Sequence, residues 1–229
     1  MTRIVFVHGS VGNAAATWAA QRELDRRFEL VFLTRSGYPP GRPVDRIDFE
    51  QQADEVAREL REGDNLVGHS YGGVVSLLAA ARGPALASLT VSEPPAFDVA
   101  RGHPAVEEFL ATFADGVPMT PREYLEFFLP LVGSTMPPGE LSPELEQGAR
   151  AAIVERSPHE ASIPLVTLRA APFSKLVISG AHHPAFDAVC DVLERKLPAE
   201  RAIVPGAGHS LPRAPGYNDV LAEFVERST

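Results

Sequence analysis

Apolar runs of strand length recur at residues 3–8, 29–34, 65–69, 88–92, 175–179 and 201–205, with helical patterns filling most of the intervals. Strands that are apolar throughout are buried on both faces, and their alternation with helices predicts a parallel sheet covered on both sides. The expected class is therefore α/β, with a mostly parallel sheet of about six strands flanked by helices. After the second strand, Phe49, Ala53, Val56, Ala57 and Leu60 share one face at 3.6-residue spacing, with Asp48 and Gln51 placed as a capping box. The run Val74 to Ala81 is apolar nearly all round, which suits a helix at the centre of the molecule. Tyr217, Val220, Leu221, Phe224 and Val225 give a final helix its buried side.

Between Pro94 and about Leu168 the strand signal stops. Three amphipathic patterns replace it, each opening near a proline: Val106/Phe109/Leu110/Phe113, Tyr124/Phe127/Phe128/Leu131 and Leu145/Ala149/Ala152/Ile153. The chain thus divides into a core of residues 1–94 and 169–229 and a helical insertion, 95–168. The apolar faces of the insertion must bury against the core, against another copy or over a binding site. The Pro/Gly-rich stretches 36–41 and 136–139 read as loops.

The chemistry is concentrated in three segments at strand ends. Gly68-His69-Ser70-Tyr71-Gly72-Gly73 joins the third strand to the apolar helix. A serine on such a turn, with glycine two places before and after, has its hydroxyl lifted clear of the backbone as a nucleophile. The first strand runs into His8-Gly9-Ser10-Val11-Gly12, a small-residue loop able to aim backbone N–H groups at a substrate. The last strand runs into Pro205-Gly206-Ala207-Gly208-His209, which puts a candidate base on a turn. Serine needs such a base within hydrogen-bond reach to become reactive.

These motifs, in the chain order of loop, serine and late histidine, resemble the α/β-hydrolase superfamily over nearly the whole chain. The resemblance implies a Ser-His-acid triad acting through an acyl-enzyme, with Ser70 as nucleophile and His209 as base. It implies an oxyanion hole formed by the backbone N–H of Tyr71 and that of Ser10 or Val11. It also implies that insertion 95–168 is a cap over the site, with Tyr124, Phe127 and Phe128 as candidate pocket residues for a small, largely apolar substrate. The acid departs from the usual pattern. Most relatives carry an aspartate a few residues beyond a glycine like Gly180, whereas this chain reads Gly180-Ala181-His182-His183-Pro184. Glu93, at the end of the fourth strand, is expected to serve instead, as some members carry the acid there. Asp187 and a plain Ser–His dyad are the alternatives. The expected activity is hydrolysis of an ester, thioester or similar acyl bond. Carbon–carbon bond hydrolysis or lyase chemistry on the same site, and a non-catalytic ligand-binding protein, are the competing readings.

Composition narrows the partners. The 229 residues carry a formal charge of −9 and no basic run, which disfavours nucleic acid. Thr2-Arg3 leads straight into a strand and no apolar run reaches membrane-spanning length, so the expectation is a cytoplasmic protein acting on a small molecule, with no membrane partner. The sequence carries no signature of oligomeric state. The single cysteine, Cys190, has the spacing of a buried helical residue. His8 and His69 sit beside the motifs and are expected to shape loops. No histidine pair has metal-ligand spacing, so neither metal nor cofactor is expected.

Overall fold

The computed structural model describes residues 1–113, 116 and 120–228, so five positions of the 95–168 insertion lie outside the described residues. Six strands form one sheet: β1 (Arg3–Val7), β2 (Glu29–Leu33), β3 (Asn65–His69), β4 (Ser88–Ser92), β5 (Ser174–Ser179) and β6 (Glu200–Ile203). Their order is β2-β1-β3-β4-β5-β6 and every neighbouring pair is parallel. The helices are α1 (Ala14–Thr17), α2 (Phe49–Glu59), α3 (Tyr71–Ala80), α4 (Pro104–Ala111), α5 (Pro121–Leu131), α6 (Pro143–Ile153), α7 (Leu165–Ala170), α8 (Pro184–Lys196) and α9 (Tyr217–Arg227). All six strands and the main helices fall where the apolar pattern puts them.

Successive side chains of β1 go to opposite faces, as the two-residue period of a strand requires. Val5 and Val7 join an apolar cluster with α2, α3 and α8, while Ile4 and Phe6 join another with Trp18 and α9. Phe6 is fully buried against Trp18 and Phe32, with ring centroids 4.9 and 5.1 Å away. Its truncation to alanine is expected to cost about 3–5 kcal/mol. Every residue of α3 is buried.

The insertion is not uniform. Val106 and Phe109 of α4 and Leu168 of α7 belong to the cluster beneath α3 and α8, whereas Tyr124, Leu125, Ala149 and Ala152 of α5 and α6 form a separate one. The starts of α5 and α6 follow from their sequences: Thr120 and Ser142 accept from the backbone N–H groups of Glu123 and Leu145, and a proline occupies the first turn.

One local expectation is corrected. Asp48 caps α2 through the N–H of Glu50, but Gln51 donates to Glu55 one turn on at 2.9 Å, so the reciprocal half of the capping box is not made. Stretch 36–41 is a loop as expected, with Tyr38 completely buried within it. Among the described residues no helix is long and apolar enough to cross a membrane.

The chain leaves β1 in one direction for β2 and returns on the other side for β3. In open parallel sheets the connections at such a reversal diverge and leave a crevice beyond the carboxyl ends of the strands. His8, Ser70, Glu93 and Gly180 each directly follow a strand, and His209 follows β6 by a turn, so all of them converge on that end of the sheet.

Candidate active site

Ser70 occupies a sharp corner with φ 53° and ψ −129°, a conformation disfavoured for a residue with a Cβ. Its side chain makes no capping bond to α3, which leaves Oγ available. The flanking glycines are required by contact. A Cβ on Gly72 would lie 2.4 Å from the carbonyl oxygens of Val7 and His8, and one on Gly68 2.4 Å from Ser76 Oγ. The corner is pinned to the sheet by the Ser70 N–H, which donates to Ser92 O at 2.9 Å.

His209 Nε2 lies 2.8 Å from Ser70 Oγ, and its Nδ1 lies 2.8 Å from Glu93 Oε2. All three residues are buried. The carboxylate requires the proton on Nδ1, so Nε2 is the acceptor facing the serine hydroxyl. The backbone of this turn is fixed by His69, whose Nε2 donates to His209 O at 2.7 Å. Burial, followed by the neighbouring His209, pushes His69 down to about 3, so it is a neutral donor at physiological pH.

Glu93 also has a left-handed backbone, with φ 44°, and its N–H donates to Ile178 O. Oε1 accepts from the Gly180 N–H at 2.7 Å, and His182 Nδ1 approaches Oε1 at 3.1 Å and Oε2 at 3.0 Å. Burial opposes ionisation of this carboxyl, but the donors on His182 and His209 outweigh it and hold Glu93 at about 2. Asp187 is elsewhere, on α8 and 3.8 Å from Arg201, which Asp191 approaches equally. Glu93, His182 and His209 form a trio whose ligand atoms lie within 4.8 Å of one another. A cation there would have to displace the bonds between the carboxylate and the imidazoles.

Gly9 O is bound by His8 Nδ1 at 2.8 Å and by Arg35 Nη2 at 3.3 Å, while His8 Nε2 accepts from the Arg35 N–H. In a trans peptide the carbonyl and the next N–H point oppositely, so fixing Gly9 O aims the Ser10 N–H away from those donors. Val11 follows at φ 68°. Glu155, just beyond α6, reaches this loop from the insertion. Its Oε2 accepts from Ser10 Oγ at 2.5 Å, and its Oε1 from Tyr38 OH at 2.7 Å and from Arg35. The Arg35–Glu155 ion pair is almost wholly buried. Burial raises the Glu155 carboxyl above its ordinary range despite Arg35, Ser10 and Tyr38.

Two cavities meet at Ser70 and His209. One, of about 390 Å³, runs along the Gly9–Asn13 loop and the turn after α5. The other, of about 170 Å³, runs beneath the insertion and is lined by Tyr124 and Phe128 together with core aromatics. Phe127, the third expected pocket residue, lines neither cavity. It packs edge-on against Phe113 with centroids 5.4 Å apart. Sequence reasoning missed Arg35, Tyr38, Glu155 and the bond from His182 to Glu93. His182 stands where relatives carry an acid, and that substitution was the available signal. Glu155 is one of 30 acidic residues and has none.

The chain belongs to the alpha/beta hydrolase family, whose profile matches residues 4–223. No curated protein matches it in sequence. Among solved structures it is similar to a thermophilic esterase from Thermogutta terrifontis, at 21% identity and a TM-score of 0.68 over 100% of this chain and 90% of that one. It is also similar to MenH from S. aureus, at 15% identity and a TM-score of 0.72 over 99% and 94%. A third is an alpha/beta hydrolase from Sphaerobacter thermophilus, at 22% identity and a TM-score of 0.68 over 97% and 92%. At these identities the likeness is one of fold.

Proposed function

We propose that this protein is a serine hydrolase that cleaves an ester, thioester or similarly activated acyl bond of a small molecule through an acyl-enzyme. The observation that carries the reading is the continuous relay Ser70 Oγ, His209 Nε2, His209 Nδ1, Glu93 Oε2, with both gaps at 2.8 Å. Ser70 Oγ attacks the acyl carbon as its proton passes to His209 Nε2. The carbonyl oxygen becomes an oxyanion, received by the N–H groups of Tyr71 and Ser10. Collapse breaks the bond to the leaving group, which departs with the proton from Nε2. Water then repeats the sequence on the acyl-serine, its proton going to Nε2 and from there to Ser70 as the acid is released. Glu93 keeps the imidazole in the required tautomer and stabilises its charged form without taking the proton. The α5–α6 part of the insertion acts as the cap that shapes the cavity and limits water.

The test is Ser70→Ala against p-nitrophenyl esters, for which kcat is expected to fall about 10⁴–10⁶-fold. Labelling of Ser70 by a fluorophosphonate, abolished by His209→Ala, is the companion measurement. Unchanged turnover in Ser70→Ala, or no labelling of the wild type, removes the serine from the chemistry and favours a ligand-binding role.

A further inference from the structure

The two cavities divide the substrate at the scissile bond, and they differ in size, exposure and polarity. The smaller is walled by Phe97, Phe109, Leu110, Phe113, Phe128 and Phe186, and of all its lining residues only His159, at its rim, is exposed. The larger carries more hydrogen-bonding groups, with Asn13, Thr135 and Ser142 set among apolar Val11, Leu129 and Val132, and Glu144 and Arg213 exposed at its edge.

We infer that the acyl half of the substrate is a compact, uncharged, apolar group of about six carbons held in the smaller cavity, with a bulkier polar alcohol in the larger one. This rests on the serine hydrolase reading and adds the substrate class. The assignment of halves follows from the order of events in that chemistry. The alcohol must depart, and water must arrive, while the acyl group is still bonded to Ser70. The leaving group therefore occupies the cavity with exposed walls, and the acyl group the one whose lining residues, His159 apart, are buried or half-buried.

Size follows from volume. An apolar protein cavity of about 150 Å³ accommodates benzene, and this one is about 170 Å³. A hexanoyl or benzoyl group fits, and a dodecanoyl chain does not. Charge is excluded by what lines the pocket. The buried carboxylate there, Glu155, is already engaged by Arg35, Ser10 and Tyr38. An acidic acyl group would face that carboxylate with no lysine or arginine among the described lining residues to pair with, and a cationic one would have to compete with three donors already in place. On the other side, Glu144 and Arg213 offer both signs at the rim, and Asn13, Thr135 and Ser142 interrupt a largely apolar wall, which suits an uncharged alcohol that bears hydroxyl groups.

The experiment is a kcat/KM profile of the intact protein on p-nitrophenyl esters from acetate to dodecanoate, with the adipate monoester as a charged six-carbon comparison. Hexanoate is expected to exceed acetate, dodecanoate and the adipate monoester each by about tenfold or more. Leu110→Trp, which narrows the cavity, should move the optimum to shorter chains, and Phe113→Ala, which widens it, to longer ones. Glycerol monohexanoate should be cleaved faster than ethyl hexanoate. A profile that is flat, that peaks at dodecanoate, or that moves the same way in both variants overturns the pocket assignment. If the fluorophosphonate still labels Ser70 in that case, the hydrolase reading stands and only the substrate class falls. Absence of labelling would overturn both.

Discussion

Glu93 and Glu155 are buried carboxylates that brace two parts of one site, and their environments drive them in opposite directions. Glu93 sits among donors that want its charge, two imidazoles and the Gly180 N–H, and it is held at about 2. Glu155 also has three donors, but burial outweighs them and its carboxyl is raised. The first arrangement orients the imidazole that would carry charge in the proposed reaction. The second ties the insertion to the loop proposed to bind the oxyanion. A carboxylate near a reacting centre therefore has to be read by which effect dominates, since proximity to the serine does not distinguish the two.

The largest expected effect tests the Glu93 half. Glu93→Gln keeps the shape but has one oxygen for donors arriving from both the Gly180 N–H and His209 Nδ1. One of them must then face an amide hydrogen, and the imidazole is driven toward the wrong tautomer. We expect kcat for a hexanoyl ester to fall about 10³–10⁴-fold. Loss of less than tenfold would mean that Ser70 and His209 work as a dyad. The same residue sets an acid limit on stability. Its folded pKa is depressed from 4.5 to about 2, so its contribution is complete above about pH 4.5 and disappears as the pH falls toward 2. Denaturant midpoints across that window should fall more steeply with acid in the wild type than in Glu93→Gln.

The next effect tests the Glu155 half and is one of stability. Arg35→Met leaves a buried carboxylate without its cation, a change that typically costs about 3–5 kcal/mol, or about 6–20 °C in Tm for a chain of this length. Because Glu155 is already raised, its ionised form weighs against the fold as pH rises and the penalty is relieved as pH falls. The Tm deficit of Arg35→Met should thus be larger at pH 8 than at pH 5. An equal deficit at both would show that lost packing of Arg35 over the rings of Tyr38 and Tyr71, 4.5 and 4.6 Å away, explains it.

The two halves also differ in how far they could be read from sequence. Ser70, His209 and the strand ends that carry them are local events. A strained corner needs glycines within two residues, and an apolar run of five residues announces its own strand. The same holds for the six strands and for α2, α3 and α9. Glu93 was legible as the preferred acid, with Asp187 and a plain dyad left as alternatives, because the reach from β4 to His209 depends on sheet order. The Arg35–Tyr38–Glu155 cluster joins residues up to 120 positions apart. Nothing in the neighbourhood of Glu155 in the sequence marks it as buried, and a loop rich in proline and glycine gives no sign that Tyr38 within it is buried. Phe127 illustrates the converse error. Its helical spacing is that of a pocket residue, but one step of 100° around α5 turns it to Phe113.

The smallest expected effect concerns His182, the residue standing where relatives carry their acid. Its Nδ1 shares the Glu93 carboxylate with His209, while its own Nε2 is buried without a hydrogen-bond partner. His182→Ala removes one of the donors that hold Glu93 ionised and leaves Gly180 N–H and His209 in place. With one donor fewer the Glu93 carboxyl should lie higher than about 2, so the denaturant midpoint should fall less steeply between pH 4.5 and 2 in His182→Ala than in the wild type. The accompanying fall in kcat should be under about tenfold, since the Ser70–His209 contact does not involve His182. His182→Asn, which retains a donor, should restore much of the wild-type slope. If both variants lower Tm equally and leave the acid slope unchanged, His182 only fills space beside Phe186, whose ring centroid lies 5.4 Å away. If alanine alone flattens the slope, the second imidazole is a positioning residue that tunes the Glu93 carboxylate.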